Sequence, residues 1–410
     1  MKIVQVCPYS WSARGGVQTH VRQLSRHLSG RGHEVLVLAA GPVGRRAARV
    51  EPAAETTGAA GGWPKLRLVG SSMCVPFNGS LAPICLQPTG ALAVRQALRQ
   101  FQPDLVHVHE PFVPGVSMSA VWFARAPVVA TFHAYCPSSL DASLYTLAAH
   151  CFWPIRRRVA VQLSVSQAAA SYAASRVGGA MHVVPNGVDV EAFERECPAS
   201  LTSKRKLLFV GRLDWRKGFD VAVRAFARLC DRYDDLVLLV VGEGPCHSEI
   251  DGVPQAVRRR IVMLGDVEDG RLPSIYAAAD VFIAPAIGGE SFGMVLLEAM
   301  AAGRTIVATD IDGYREVVRA DVDALVVRPR DAQGLAASIG RVLEDPALAR
   351  RLGLSARDRV QQFAWTVVTD AVEHAYRDVV GYENLPARRR ERLSPAGRGW
   401  AIERSWRRRV

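Results

Sequence analysis

No stretch of eighteen or more apolar residues occurs in the 410-residue chain, so no segment reads as a bilayer-spanning helix. No secretory leader is expected. Met1-Lys2-Ile3-Val4-Gln5-Val6 reads as a short strand, without the apolar core and small-residue cleavage site of a signal, and a cytoplasmic location is expected. None of the eight cysteines has a C-x-x-C partner, which argues against a zinc-ligating set; reduced, structural thiols are expected. No G-x-G-x-x-G fingerprint is present, which removes a dinucleotide cofactor and the dehydrogenase class with it.

Charge is also scarce where a nucleic-acid reading would need it. The net charge is +12, but nine arginines against Glu391 and Glu403 place +7 of it within residues 388–410. The remainder of the chain carries only +5. Such an arginine run is expected to be a solvated, disordered extension. With Trp400 and Trp406 it is also compatible with peripheral contact with an anionic membrane surface.

What is present is an alternation of strand and helix signals. Ile3 to Cys7 is a buried-strand run, Gly15-Gly16 turns the chain, and Val17, Val21, Leu24 and Leu28 repeat at helical spacing toward Gly30. Strands follow at Glu34 to Ala39, Leu105 to Val108 and Pro127 to Phe132, with residues 41–62 reading as a long mobile connection. The pattern restarts at Leu207 to Val210, followed by a helix over Phe219 to Leu229 and strands at Leu236 to Val241, Val281 to Ile283 and Thr305 to Ala308. Two such series predict two α/β domains with parallel sheets, dividing near residues 178–184.

Three segments carry candidate chemistry. Gly15-Gly16, in a strand-to-helix turn, lets backbone N–H groups approach a phosphate or sugar; simple turn chemistry is the competing reading. Gly211-Arg212-Leu213-Asp214-Trp215-Arg216-Lys217-Gly218 follows a strand and holds two cations, Arg212 and Lys217, able to neutralise a diphosphate; an exposed basic loop is the alternative. Pro285 to Met300 ends a strand, turns at Gly288-Gly289 and enters a helix near Phe292 whose first N–H groups face an anion. Glu290 precedes that helix and Glu298 lies two turns on, so both carboxylates can reach one side. As purely structural features, Glu290 would cap the helix and Glu298 would make a surface ion pair.

Glu290 and Glu298, with seven residues between them after Gly-Gly, resemble the E-x7-E motif of retaining GT-B glycosyltransferases. The loop at residues 211–218, Pro185-Asn186-Gly187-Val188-Asp189 and Gly242-Glu243-Gly244-Pro245 match the same group. The first half resembles the actinobacterial phosphatidylinositol mannosyltransferases: Cys7-Pro8-Tyr9-Ser10, Gly15-Gly16-Val17-Gln18, Gly32-His33-Glu34-Val35, Asn78-Gly79-Ser80, His107-Val108-His109-Glu110-Pro111 and Thr131-Phe132-His133. The similarity spans about residues 1–380.

The resemblance implies an α/β, GT-B fold of two facing Rossmann-like domains with the active site between them. It assigns 1–180 to an acceptor-side domain and 181–363 to a nucleotide-sugar domain. A helix over 364–383 returns to the first domain, and 384–410 is a basic tail. It implies a catalytic set of His133, Glu290, Arg212 and Lys217. The donor would be bound by Gly15, Gly16, Arg212, Lys217, Glu290, Ser291, Phe292, Gly293, Met294, Val295 and Glu298, with Glu298 on the ribose. The acceptor would be bound by Tyr9, Gln18, Asn78 and Ser80. The implied reaction moves mannose from GDP-mannose to phosphatidylinositol or a related lipid at the inner face of the membrane, with retention of configuration. No D-x-D triplet is read near the segments above, so neither a metal nor any other cofactor is expected, and no nucleic-acid partner.

Two positions depart from the family pattern. Pro83 stands where an acceptor-phosphate arginine is expected and Ser138 where a lysine is, removing two charge-assisted contacts of roughly 1.5–3 kcal/mol each. A glycosyltransferase acting on a soluble acceptor, such as a secondary metabolite or cyclitol, therefore stands as a second reading. A non-catalytic protein binding a sugar nucleotide or nucleic acid is a third.

Overall fold

The computed structural model describes residues 1–44, 64–77, 80–135, 153–194 and 204–383. The tail, Asn78, Ser138 and most of the connection expected at 41–62 lie outside them. The chain forms two compact units: residues 1–186 together with Trp365 onward, and Gly187–Ala364.

The first unit begins with β1 (Lys2–Ser10), α1 (Gly16–Gly30) and β2 (Glu34–Ala40), then β3 (Lys65–Val69), β4 (Met73–Phe77) and β5 (Ser80–Ile84). It continues through α2 (Pro88–Phe101), β6 (Leu105–His109), α3 (Val116–Phe123), β7 (Val128–Phe132), β8 (Val159–Ser164), α4 (Gln167–Val177) and β9 (His182–Val183). Its main path runs β3-β2-β1-β6-β7-β8-β9, all parallel, and β4 and β5 form an antiparallel hairpin joined to β1 through Tyr9 and Ile84. Strands such as Val128–Phe132 are buried throughout, because helices cover both faces of a parallel sheet.

The second unit holds β10 (Arg205–Val210), α5 (Phe219–Cys230), β11 (Leu236–Val241), β12 (Ile261–Gly265), α6 (Leu272–Ala278), β13 (Val281–Ala284) and α7 (Met294–Ala301). After these come β14 (Thr305–Thr309), β15 (Leu325–Val327), α8 (Ala332–Glu344) and α9 (Pro346–Val360). Its parallel sheet is ordered β12-β11-β10-β13-β14-β15.

The last helix, α10 (Trp365–Glu383), belongs to the first unit. Trp365, Val368, Val372, Ala375, Tyr376 and Val379 pack into one cluster with Leu24 and Leu28 of α1 and with Ile3, Leu105 and Val129 of the sheet. At about 25 cal/mol per Å² of apolar surface removed from water, this stripe docks the helix without any need for intrinsic propensity.

Each sheet reverses its strand order once, between β1 and β6 in the first unit and between β10 and β13 in the second. Crevices beyond the carboxyl ends of strands open where the order reverses, so the topology marks one ligand-binding place per unit.

Candidate functional site

In the second unit the two sequence segments with chemistry follow the two strands at the reversal. The loop after β10 is shaped by Asp214, whose buried carboxylate accepts from the Lys217 N–H at 3.1 Å and from Arg216 Nη2 at 3.2 Å. Gly218 closes the loop at φ +67°, and a Cβ there would stand 2.0 Å from the Pro285 carbonyl oxygen. Only glycine satisfies both constraints. Ile287 N–H donates to the Arg216 carbonyl at 2.8 Å, joining this loop to the turn after β13.

That junction brings Lys217 Nζ to 2.8 Å from Glu290 Oε2, with both side chains mostly covered. Glu290 is therefore not the cap of α7. The cap is Gly293 at φ +97°, which moves the helix start from the expected Phe292 to Met294, while Phe292 is buried with its ring edge-on to Phe363. The N–H groups of the first turn, at Met294 and Val295, lack intrahelical acceptors, and Ser291 lies half-buried in the same turn. Arg212 is exposed on the loop that positions Lys217.

Among the described residues Glu298 makes no surface ion pair either. Its Oε2 accepts from the hydroxyl of Tyr276 on α6 at 2.7 Å. Burial pushes its carboxyl up to about 7, opposed by the Tyr276 hydrogen bond, raised further by Asp269 and lowered by Lys217. Contrary to expectation, a D-x-D triplet does lie near these segments: Asp310-Ile311-Asp312 comes to the edge of this site, since Gly313 packs beneath the Glu290 carbonyl. Both carboxylates pair with Arg315, at 2.6 and 2.8 Å.

In the first unit, β1 ends at Ser10 and leads to Gly15 and Gly16, both exposed where α1 begins. Gln18 is buried, with Nε2 3.4 Å from the Ser10 carbonyl, and Tyr9 is half-buried beside Glu110. Ser80 opens β5; Pro83 pairs with Cys74 in the same hairpin.

Sequence reasoning quoted Glu110 only as part of a motif. It is buried at φ +50°, a left-handed conformation rare for a non-glycine residue, and its Oε1 accepts from the N–H groups of His133 and Ala134 at 2.5 and 2.7 Å. Burial pushes its carboxyl up to about 7.

His133 also closes a chain of buried hydrogen bonds. Its Nε2 is 2.9 Å from His109 Nδ1, and His109 Nε2 is 3.1 Å from Gln5 Oε1. Gln5 Nε2 donates to Tyr376 Oη at 2.8 Å, Tyr376 Oη is 2.6 Å from His107 Nδ1, and His107 Nε2 is 2.7 Å from Thr131 Oγ1. His20 Nδ1 bonds Asn186 Oδ1 at 2.8 Å, and its ring stands edge-on to His133.

Burial holds all four imidazoles well below their usual range, His20 at about 4 and His107 at about 3, so they are neutral near pH 7. Donor atoms of His20, His109 and His133 lie within 4.8 Å of one another and form the group, among the described residues, that could surround a metal ion. The hydrogen bonds argue against a prepared metal site. His109 and His133 share one proton, and no carboxylate joins the three to offset a divalent charge in a dry surrounding.

Comparison with known proteins agrees with this geometry. Residues 14–192 match the model described as Glycosyltransferase Family 4, and residues 204–345 match Glycosyl transferases group 1. The chain is thus a glycosyltransferase, an enzyme of the hexosyltransferase class.

A phosphatidyl-myo-inositol mannosyltransferase of Mycolicibacterium smegmatis is 36% identical over 392 residues, covering 93% of this chain and 95% of the relative. One of Mycobacterium tuberculosis is 35% identical over 388 residues, covering 93% and 98%. The chain belongs to the phosphatidyl-myo-inositol mannosyltransferase family.

Among solved structures, sucrose-phosphate synthase from Thermosynechococcus elongatus superposes with TM-score 0.72 at 23% identity, covering 93% of this chain and 99% of that one. Anabaena HepE in complex with UDP and glucose gives 0.71 at 20% identity, covering 92% and 99%. The expected α/β, GT-B fold class holds. No helix among the described residues is long and apolar enough to cross a membrane.

Proposed function

We propose that the protein transfers mannose from GDP-mannose, with retention, to phosphatidylinositol or a closely related lipid, without a metal. The observation that carries the reading is the Lys217–Glu290 contact at the strand-order reversal of the second unit, where a cation and a hydroxyl-binding carboxylate meet beside free helix N–H groups. Lys217 and Arg212 would hold the donor diphosphate, Glu290 the sugar hydroxyls, and Glu298 the ribose. From the first unit, Gly15 and Gly16 would admit the phosphate-sugar junction, and His133 would hydrogen-bond the reacting sugar as a neutral ring.

In this reading the bond from the sugar's C1 to the diphosphate oxygen breaks while a bond from C1 to the acceptor hydroxyl forms on the same face. The acceptor's proton passes to the departing phosphate oxygen. Lysine and arginine stabilise the charge growing there, and orientation supplies much of the remainder. The test is mannose transfer from GDP-mannose to phosphatidylinositol in vesicles containing EDTA. Wild type should form the glycolipid, and Glu290→Ala and Lys217→Ala should remove activity while preserving the fold. Full transfer by either variant refutes the site.

One observation favours a second acceptor class. Pro83, in the hairpin beside β1, offers no charge to a lipid phosphate. The same assay run with free myo-inositol separates the two: product from the soluble cyclitol, with none from the vesicles, replaces the lipid reading. A partner contact with anionic membrane is tested by co-sedimentation of the full chain and a chain ending at residue 383 with anionic vesicles at low salt.

A further inference from the structure

Tyr276 occupies an apolar slot that a phenylalanine would fill equally well. It is fully buried on α6, edge-on to Phe193 at 5.6 Å and tilted against Phe282 at 5.4 Å. Packing therefore accounts for the ring and leaves the hydroxyl unexplained. That hydroxyl has one proton and two acceptors, Glu298 Oε2 at 2.7 Å and the Val295 carbonyl at 3.3 Å. The shorter, charge-assisted contact takes it. Glu298 Oε1 has no hydrogen-bond partner among the described residues.

We propose that Tyr276 is a positioning residue for the nucleotide half of the donor. It pins one oxygen of the Glu298 carboxylate and leaves the other turned out to accept hydroxyls of the donor's ribose. The inference rests on the donor reading of the second unit given above, and adds to it a residue that touches neither sugar nor phosphate.

The hydroxyl does two things at once. It fixes the side-chain rotamer of Glu298, and it favours the ionised carboxylate in a place where burial favours the neutral acid. Tyr276 cannot itself give up its proton, because burial, Glu298 and Tyr314 all oppose its ionisation. The elements packed on α7 are α6, α9, β13, β14 and the short helix Val190–Phe193. The charged groups that reach Glu298 are Asp269, which raises it, and Lys217, which lowers it. Glu191 of the short helix is exposed, while Arg357 and Arg359 of α9 pair with Glu194 and Asp323. Only an ionised Glu298 offers acceptors alone; once protonated it competes as a donor.

Calorimetric binding of GDP-mannose by Tyr276→Phe, from pH 6 to 9, is the test. Wild-type affinity should fall as pH drops through about 7, where Glu298 takes up its proton. In Tyr276→Phe that fall should begin about one pH unit higher. The dissociation constant should then be about five-fold weaker near pH 7, approaching ten-fold at pH 6, and within two-fold of wild type at pH 9. Glu298→Gln, which cannot titrate, should lose the pH step altogether, and it serves as the check if the tyrosine variant folds poorly.

A loss of equal size at every pH would make Tyr276 a packing residue, and an unchanged profile would remove it from donor binding; either overturns the proposal alone. A wild-type chain that binds no GDP-mannose at any pH, or whose binding ignores Lys217→Ala, overturns the donor reading and this inference together.

Discussion

Gly313→Ala provides a severe test of the second-unit geometry, because it changes neither charge nor any residue assigned to substrate. A Cβ at Gly313 would stand 2.2 Å from the carbonyl oxygen of Glu290, 2.8 Å from its carbon and 3.0 Å from the N atom of Phe292. Ordinary contact begins at 3.4 Å, so the Glu290–Phe292 backbone must move by about 1 Å, and backbone cannot rotate away as a flexible side chain would. Such overpacking costs about 1–3 kcal/mol of stability. A 1 Å shift of positioning groups costs about 10²-fold in rate, equivalent to roughly 2.7 kcal/mol. Sugar-transfer kcat/KM and urea denaturation read the two effects separately. Gly252→Ala, which meets nothing within 4 Å, is the control and should match wild type in both. Transfer by Gly313→Ala within two-fold of wild type would refute the placement of Glu290 in the site.

Further outcomes follow from the first unit and from the metal question. Tyr376→Phe keeps its edge-on packing against His107 but strips an acceptor from buried Gln5 and a partner from His107. It should cost about 1–3 kcal/mol in urea denaturation, and an unchanged midpoint would dismiss the hydrogen-bond chain. Glu110 titrates up to about 7 when folded, against 4.5 in its ordinary state. The stability it contributes is present below pH 4.5 and lost as pH rises to 7, by up to about 3 kcal/mol. Glu110→Gln, whose Oε1 still accepts both N–H groups, should flatten that part of the stability profile; an unaltered slope counts against the burial argument. Transfer should be indifferent to EDTA at millimolar concentration, and loss of activity restored by a divalent cation would overturn the metal-free mechanism.

The strands that were read, β1, β2, β6, β7, β10, β11, β13 and β14, were legible because each is a short apolar run bounded by turn residues, and parallel pairing buries both faces; β3, β4, β5, β8, β9, β12 and β15 were not read. The Gly211–Gly218 and Pro285–Met300 segments were legible for a related reason: glycine clusters at strand ends have few other uses. Their contact was not. Lys217 meets Glu290 only because β13 lies beside β10, and strand order is a tertiary fact that no local pattern encodes. The start of α7 fell two residues early, because Gly293 adopts a left-handed conformation and serves as the cap that Glu290 was positioned to be. The buried partners were wholly hidden. Gln5 and Tyr376 are 371 residues apart, and His107 and Tyr376 are 269 apart. Tyr276 reads in sequence as one more apolar position of a short helix. Glu110 differs, since a carboxylate directly after an apolar strand is a signal, and its motif was noted without a role.

The two reversal sites differ in electrical character, and the difference bears on mechanism. In the second unit the groups at the strand ends are charged: Lys217 and Glu290, mostly covered, and Arg212, exposed. In the first they are buried and neutral, because desolvation keeps His20, His107, His109 and His133 unprotonated. An imidazole held well below its ordinary range is a weak base, and protonating His133 would place a charge among other imidazoles in a desolvated place. His133 can orient a hydroxyl but is badly suited to removing its proton. The base has to come from elsewhere, and the species whose basicity grows as the reaction proceeds is the departing phosphate. In the proposed same-face substitution a neutral histidine cluster would offer hydrogen bonds rather than charge, and the charged residues of the second unit would meet the leaving group.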